Sequence, residues 1–165
     1  MSTLTEVLSR SNLERAWRWI KSNPDAGYKS YCGQAYSRYA LADSSLLDEL
    51  RSELLRGIYQ PTHATKILLP KKSGILRPYT ILTVEDQIVY QAMVNVIAER
   101  LAPRIRGQYL RVSFGHMYAG RASTWFYKPW QQGYPLRFLP AYRRQAKGGS
   151  GVPPRARASS YQFRI

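Results

Sequence analysis

The chain has 165 residues, with 25 Lys/Arg against 10 Asp/Glu for a net charge of +15, and 44% of its residues are hydrophobic. That length suits one domain with a core of its own or a piece of a larger one, and the apolar content excludes a wholly disordered polymer. The charge is one-sided: residues 1–99 hold 12 basic and 10 acidic residues, whereas residues 100–165 hold 13 basic and no acidic residue, a distribution expected to draw a polyanion such as nucleic acid through counterion release.

Cys32 is the single cysteine, which excludes an intramolecular disulfide framework and fits a reducing compartment. His63 and His116 stand far apart with no second cysteine, a poor basis for zinc. The N-terminal MSTLTEVLSRSNLERAW is too polar for a signal peptide, and no apolar run approaches a membrane span. A cytoplasmic protein without a membrane partner is the expectation.

In chain order, SNLERAWRWIKSNP predicts a short amphipathic helix capped by Ser11 or Asn12, with Leu13, Trp17 and Ile20 on one face and Pro24 closing it. AGYKSYCGQAYSRYA has no clean period and predicts a loop-rich connection. Its tyrosines suit either base stacking or ordinary packing. A second helix runs through LLDELRSELLRG, capped by Ser44 or Ser45, with Leu46, Leu47, Leu50, Leu54 and Ile58 as its buried stripe and Gly57 ending it. The period then changes. Thr65 to Leu69 and Leu76 to Leu82 predict two strands joined by a KKSG turn, with Pro70 and Pro78 near exposed edges. Thr83 and Asp86 have capping-box spacing ahead of VEDQIVYQAMVNVIAERLA. Val89, Met93, Val96, Ile97 and Leu101 line one side of that helix, and Pro103 ends it. STWFYKPWQQG predicts a last aromatic helix limited by Pro129.

The hairpin carries the chemistry. Lys71 and Lys72 sit in a tight turn and Arg77 begins the returning strand, so two ammonium groups and a guanidinium can converge on one triphosphate or backbone phosphate. These residues alone leave open whether the turn binds phosphate or is an ordinary solvated basic hairpin.

The order of the surrounding blocks resembles the front of bacterial reverse transcriptases, the kind found in group II introns, retrons and defence systems. Gly57, Tyr59 and Pro61 match a G-x-Y-x-P-like helix end. Pro70, Lys71, Gly74, Arg77 and Pro78 match an I-P-K-x-x-G-x-x-R-P hairpin. Thr83, Asp86, Val89, Gln91 and Ala92 match an I-P-T-x-x-D-R-x-V-Q-x-A helix. SFGHMYAGRAS matches the next block more loosely, through Ser113, Phe114, Gly115, Gly120, Arg121 and Ser123, with HMYA where many relatives carry F-R-P. Ordered blocks are far more specific than any one motif.

The resemblance implies an α+β fold: the fingers subdomain of a right-hand polymerase, mainly helical with a two-stranded hairpin, and with the palm missing. It divides the chain into a helix and loop-rich extension over 1–43, fingers and the start of the palm over 44–133, and a basic low-complexity tail over 134–165. Lys71, Lys72 and Arg77 are implied to approach the phosphates of an incoming nucleotide, and Arg121 and Lys128 to contact nucleic acid. Asp86 is expected to serve the helix cap and Gln91 to order the hairpin or the template groove. The complete family enzyme would use Mg2+, deoxynucleoside triphosphates, an RNA template and a DNA or RNA primer.

Nucleotidyl transfer in that family needs aspartates holding two magnesium ions, one on a strand after the aromatic helix and a pair in a Tyr-x-Asp-Asp turn. Neither Asp nor Glu follows Glu99. No catalytic or metal-binding residue is therefore assigned, no bound cofactor is expected, and this chain alone is expected to be inactive as a polymerase. Near Tyr134 the text changes to PLRFLPAYRRQAKGGSGVPPRARASSYQFRI, without an acid and without a helical or strand period. A frameshift near codon 134 would account for this; a genuine basic arm that wraps nucleic acid is the competing reading. The tail is expected to be disordered by itself. Without palm strands to rest on, the apolar faces of the Thr83 helix and of Trp125, Phe126 and Trp130 are expected to stay exposed. Two other functions fit the same residues: a non-catalytic RNA- or DNA-binding protein, and a subunit completed by a palm on another chain.

Overall fold

The computed structural model describes residues 2–22, 29–71, 73–108 and 116–129. The architecture is α+β, mostly helical with one two-stranded antiparallel hairpin. The chain divides into two units, Met1–Glu99 and Arg100–Ile165.

The first unit opens with helix α1 (Thr3–Val7), whose N-terminus Ser2 caps by accepting from the Thr5 N–H at 3.3 Å. Helix α2 spans Arg10–Lys21 with Ser9 at its cap, two or three residues before the expected one. Leu13, Trp17 and Ile20 are buried, as their spacing predicts. Asn12 is not a cap. It is buried, and its amide donates to the carbonyls of Val7 (3.1 Å) and Ala92 (2.9 Å). Its oxygen accepts from Arg15 (2.7 Å) and Asn95 (2.9 Å). Arg15 also pairs with Glu99 at 2.7 Å.

The segment expected to be loop-rich contains a 3-10 turn (Lys29–Tyr31) and helix α3 (Gly33–Leu41). Tertiary contacts override its weak local pattern. Tyr39 is buried edge-on against Trp17, with ring centroids 4.8 Å apart, and the Tyr36 hydroxyl donates to Gln87 at 2.9 Å. Helix α4 (Asp43–Arg56) follows with Ala42 at its cap, and Ser45 donates back to the Ala42 carbonyl at 3.0 Å. Asp43 accepts from the Trp17 indole (3.0 Å) and Lys21 (3.1 Å), in that order the main causes that hold its carboxyl below the usual range. Leu47 and Leu50 are buried, and Leu46 and Leu54 pack against the core, whereas Ile58 lies beyond the helix and is exposed. Gly57 ends α4 at φ 69°, a left-handed angle that glycine adopts without a Cβ clash.

Lys29 is buried at the junction of α2 and α3, where its ammonium donates to the Ile20 carbonyl and lies 5.4 Å over the Tyr36 ring. Burial lowers its pKa from 10.5 to about 8. The unfolded chain therefore binds a proton that the folded chain has shed between pH 8 and 10.5, so stability rises with pH across that window. Burial raises the hydroxyl pKa values of Tyr39, Tyr59 and Tyr36 above 10.0, so stability falls again once unfolded tyrosines ionise. Urea unfolding measured from pH 7 to 11 should show a maximum near pH 10, and Lys29→Met should flatten the rising limb.

Strands β1 (Thr65–Pro70) and β2 (Leu76–Ile81) pair in the register Thr65↔Ile81, Ile67↔Tyr79 and Leu69↔Arg77. The Lys71 N–H donates to the Ile75 carbonyl at 2.9 Å, and Gly74, at φ 80°, makes the turn. That bond fixes the alternation of the ladder: Leu69↔Arg77 is a hydrogen-bonded pair, while Leu68↔Pro78 and Pro70↔Leu76 are not. Each proline thus sits where its missing N–H would have pointed outward. One proline falls on each open edge, costing no ladder bond and blunting further strand pairing.

Helix α5 runs from Val84 to Ile105 and passes through Pro103, which was expected to end it. A proline this close to a C-terminus removes one donor but keeps helical φ, and the chain continues two residues before tightening into the 3-10 turn Arg106–Gln108. The inward face is also not the expected one. Ile88, Ala92, Asn95 and Val96 are buried with Gln91, and Val89 packs beside them; Met93, Ile97 and Leu101 are exposed at 43%, 55% and 44%. The buried face carries Asn95, which bonds Asn12 and Gln91, so a stripe drawn through apolar residues alone shares only Val89 and Val96 with it. Full burial of Leu13 and Ile88 contributes about 1.5–3 kcal/mol each.

In the second unit, Met117–Lys128 forms a tight antiparallel turn instead of the expected aromatic helix. Tyr118 bridges Tyr127, the Ala119 N–H donates to Phe126 O at 2.9 Å, and the Lys128 N–H donates to Met117 O at 2.7 Å. Gly120, at φ 103°, turns the chain. Antiparallel pairing of these aromatic residues satisfies the backbone where Pro129 would interrupt a helix. Trp125 is exposed and Phe126 half-buried. Trp130, the block residues Ser113 to Gly115 and the tail from 134 onward lie outside the described residues.

Candidate functional site

Both ends of the hairpin are tied to the start of α5. Asp86, in the first turn of α5, accepts from the Tyr59 hydroxyl, from the Thr62 N–H at 3.2 Å and from the Thr83 hydroxyl at 2.7 Å. Its own N–H donates to Thr83 Oγ1 at 3.2 Å, the reciprocal contact expected of a cap. Tyr59 and Thr62 precede β1 and Thr83 follows β2, so one buried carboxylate closes the base of the hairpin. Burial first, and the Asp86 contact second, raise the Tyr59 hydroxyl pKa. Gln87 adds a second tie, donating to Leu82 O at 2.9 Å while accepting from Tyr36 on α3. The Thr83–Asp86 cap was visible in local spacing. The Tyr59, Thr62 and Tyr36–Gln87 contacts were not, because they join residues distant along the chain. Gln91, expected to order the hairpin or template groove, instead donates to Asn95 at 2.8 Å within the core.

The register puts Ile67, Leu69, Arg77, Tyr79 and Ile81 on one half-buried face and Lys66, Leu68, Pro78 and Thr80 on the exposed one. Arg77 donates to the Tyr79 hydroxyl at 3.4 Å, and its guanidinium lies 5.9 Å from that ring centre. The aromatic partner, which the sequence did not single out, orients the guanidinium along the face. Lys71 is exposed at the turn, and continued alternation places it on the side of Leu69 and Arg77. Diagonal neighbours in a sheet lie about 7–8 Å apart, within reach of one polyphosphate for side chains this long. Lys72 lies outside the described residues. Arg121 and Lys128 belong to the second unit, where both are exposed on the aromatic turn.

At the base of the hairpin, within the first unit, a groove of about 600 Å³ opens between Tyr36, His63, Thr65, Ile81, Thr83 and Glu85. Half-buried Cys32 lines it as well.

The described carboxylates do not fit a two-magnesium centre. Asp86 is filled by three donors, Asp43 by Trp17 and Lys21, Asp48 and Glu14 by Arg10, and Glu99 by Arg15. They are spread over α2, α4 and α5, and among the described residues no three His, Cys, Asp or Glu side chains cluster. No helix there is long and apolar enough to cross a membrane.

A curated protein matches part of the chain. It is Protein YkfC of Escherichia coli (strain K12), 48% identical over 48 residues, which is 29% of this chain and 13% of that protein. The identity is high enough to mark a related segment, but the segment is short. No protein-family model matches the chain.

Proposed function

We propose that the chain is the N-terminal part of an RNA-directed DNA polymerase, the fingers portion with its palm absent, and by itself catalytically incomplete. One observation carries the reading. Tyr59, Thr83 and Asp86, drawn from two separate blocks of the sequence resemblance, meet at one buried point and hold the third block between them. The hairpin brings these flanks together in any case; the reading is supported by the contacts being made by residues that the resemblance blocks share. In this reading Lys71, Lys72 and Arg77 neutralise the phosphates of a nucleotide or of RNA, with Arg77 oriented by Tyr79. The whole protein would use deoxynucleoside triphosphates, an RNA template, a primer and Mg2+ in a cytoplasmic setting.

Replacing Lys71, Lys72 and Arg77 together with alanine should weaken RNA binding about tenfold or more and reduce the salt slope by about 2, since each phosphate contact on a single strand contributes about 0.7. Fluorescence anisotropy of a labelled RNA, read from 50 to 300 mM salt, measures both. Unchanged binding in a folded variant would sink the hairpin assignment.

The 13 basic residues without an acid over 100–165 favour a second reading, a nucleic-acid-binding protein without catalysis. Salt-dependent RNA binding with no synthesis on adding a palm polypeptide would select it. The exposed Met93, Ile97 and Leu101 face favours the related case of a subunit completed by a palm on another chain. Synthesis restored by that polypeptide would select this one.

A further inference from the structure

A buried lysine and the base of the hairpin are joined by a short chain of contacts within the first unit. The Lys29 ammonium donates to the Ile20 carbonyl in the last turn of α2 and lies 5.4 Å over the Tyr36 ring. On α3, the Tyr36 hydroxyl donates to Gln87 Oε1 at 2.9 Å. The Gln87 amide donates in turn to the carbonyl of Leu82 at 2.9 Å, immediately after β2. Side chains alone thus connect the end of α2, through α3 and α5, to the returning strand of the hairpin.

Of these side chains, Lys29 changes charge below pH 10, whereas the Tyr36 hydroxyl is pushed above its ordinary 10.0 by burial. Lys29 is only 7% exposed. The titratable groups beside it are Tyr36 and half-buried Cys32, whose N–H donates to Lys29 O at 3.0 Å. Burial alone lowers its pKa, with no carboxylate acting to hold the proton. A charge kept in such a place costs free energy that solvation would return. The neutral amine keeps N–H groups for the Ile20 carbonyl and carries no such cost. Protonation therefore favours an arrangement in which Lys29 moves out to water, and its departure takes away a group that packs on the Tyr36 ring.

We propose that Lys29 is a proton-operated latch on the hairpin: protonated, it favours an open state in which Tyr36 and Gln87 release Leu82, and neutral, it keeps the base of the hairpin closed. The latch governs how the hairpin is mounted, and it does not require the polymerase reading.

The test follows amide exchange in the full-length chain by quenched-flow deuterium labelling, each rate corrected for its intrinsic pH dependence. Protection along β2 and at Gln87 should rise about tenfold from pH 7 to pH 9, the change expected for an opening that returns Lys29 from a pKa of about 8 to 10.5. Lys29→Met, which carries no charge, should be protected at both pH values and show no rise. Tyr36→Phe keeps a ring beside Lys29 but removes the hydroxyl, so β2 should lose the pH dependence while the last turn of α2 retains it. Cys32→Ser removes a thiol that ordinarily titrates at about 8.5 and should leave the rise unchanged. No rise in the wild type, a rise that survives in Lys29→Met or in β2 of Tyr36→Phe, or one that vanishes in Cys32→Ser would each overturn the assignment. RNA takes no part in these measurements, so their failure is distinct from that of the hairpin's phosphate binding.

Discussion

Asp86→Asn should destabilise the chain, and Asp86→Ala should do so more, by about 3 kcal/mol, lowering the melting temperature by about 10–20 °C for a unit of this size. The reason lies in the donors. Tyr59, Thr62 and Thr83 all donate to this one carboxylate. A carboxylate accepts on every lone pair, whereas an amide must turn its NH2 toward one set of donors. Alanine leaves a buried hydroxyl and a backbone N–H without an acceptor. Because those groups tie both ends of the hairpin, amide exchange at Thr62 and along β1 should accelerate before global unfolding. Thermal unfolding of Asp86→Asn and Asp86→Ala, with exchange measured by mass spectrometry, checks this. A melting temperature within a degree or two of wild type would show that the carboxylate does not hold the hairpin.

The second large effect belongs to Asn12. Its side chain makes four hydrogen bonds in the core, to the carbonyls of Val7 and Ala92 and from Arg15 and Asn95. Asn12→Ala should cost about 3–5 kcal/mol, because two carbonyls, an amide and a guanidinium lose partners in a place water does not reach. Asn12→Leu makes the sharper test. A leucine keeps the branched four-atom shape of the side chain, with bulkier ends, and the four polar neighbours remain whatever fills the space. Urea unfolding should therefore show Asn12→Leu destabilised by at least 2 kcal/mol. Stability at or above wild type would mean that the amide serves packing alone.

These two residues also mark how far local sequence reasoning reaches. The hairpin was legible because the hydrophobic period changes from helical to alternating, with a glycine at the turn and prolines at outward positions. Helix α4 was legible from its leucine spacing and Gly57. The inner face of α5 was not, since Gln91 and Asn95 break the apolar stripe and only the distant Asn12 makes their burial tolerable. For the same reason Asn12 itself read as a cap, the commonest place for an asparagine beside a helix start. Helix α3 was missed because Tyr36 and Tyr39 take their order from Gln87 and Trp17, not from neighbours in sequence. In the second unit, pairing between Tyr118 and Tyr127 prevailed over the helical spacing of the aromatics.

The candidate site divides in the same way. Lys71 and Arg77 followed from the turn, and the Thr83–Asp86 cap followed from its spacing. The closure of the hairpin through Tyr59 and Thr62, and the orientation of Arg77 by Tyr79, needed three dimensions.

That this chain carries the front of a polymerase is tested most directly in its gene, by reading the DNA in all three frames for several hundred bases past codon 134. The account predicts that a shifted frame encodes an aspartate-bearing strand followed by a Tyr-x-Asp-Asp turn. Its absence from every frame would contradict the truncated-polymerase reading and leave a basic, non-catalytic nucleic-acid-binding chain.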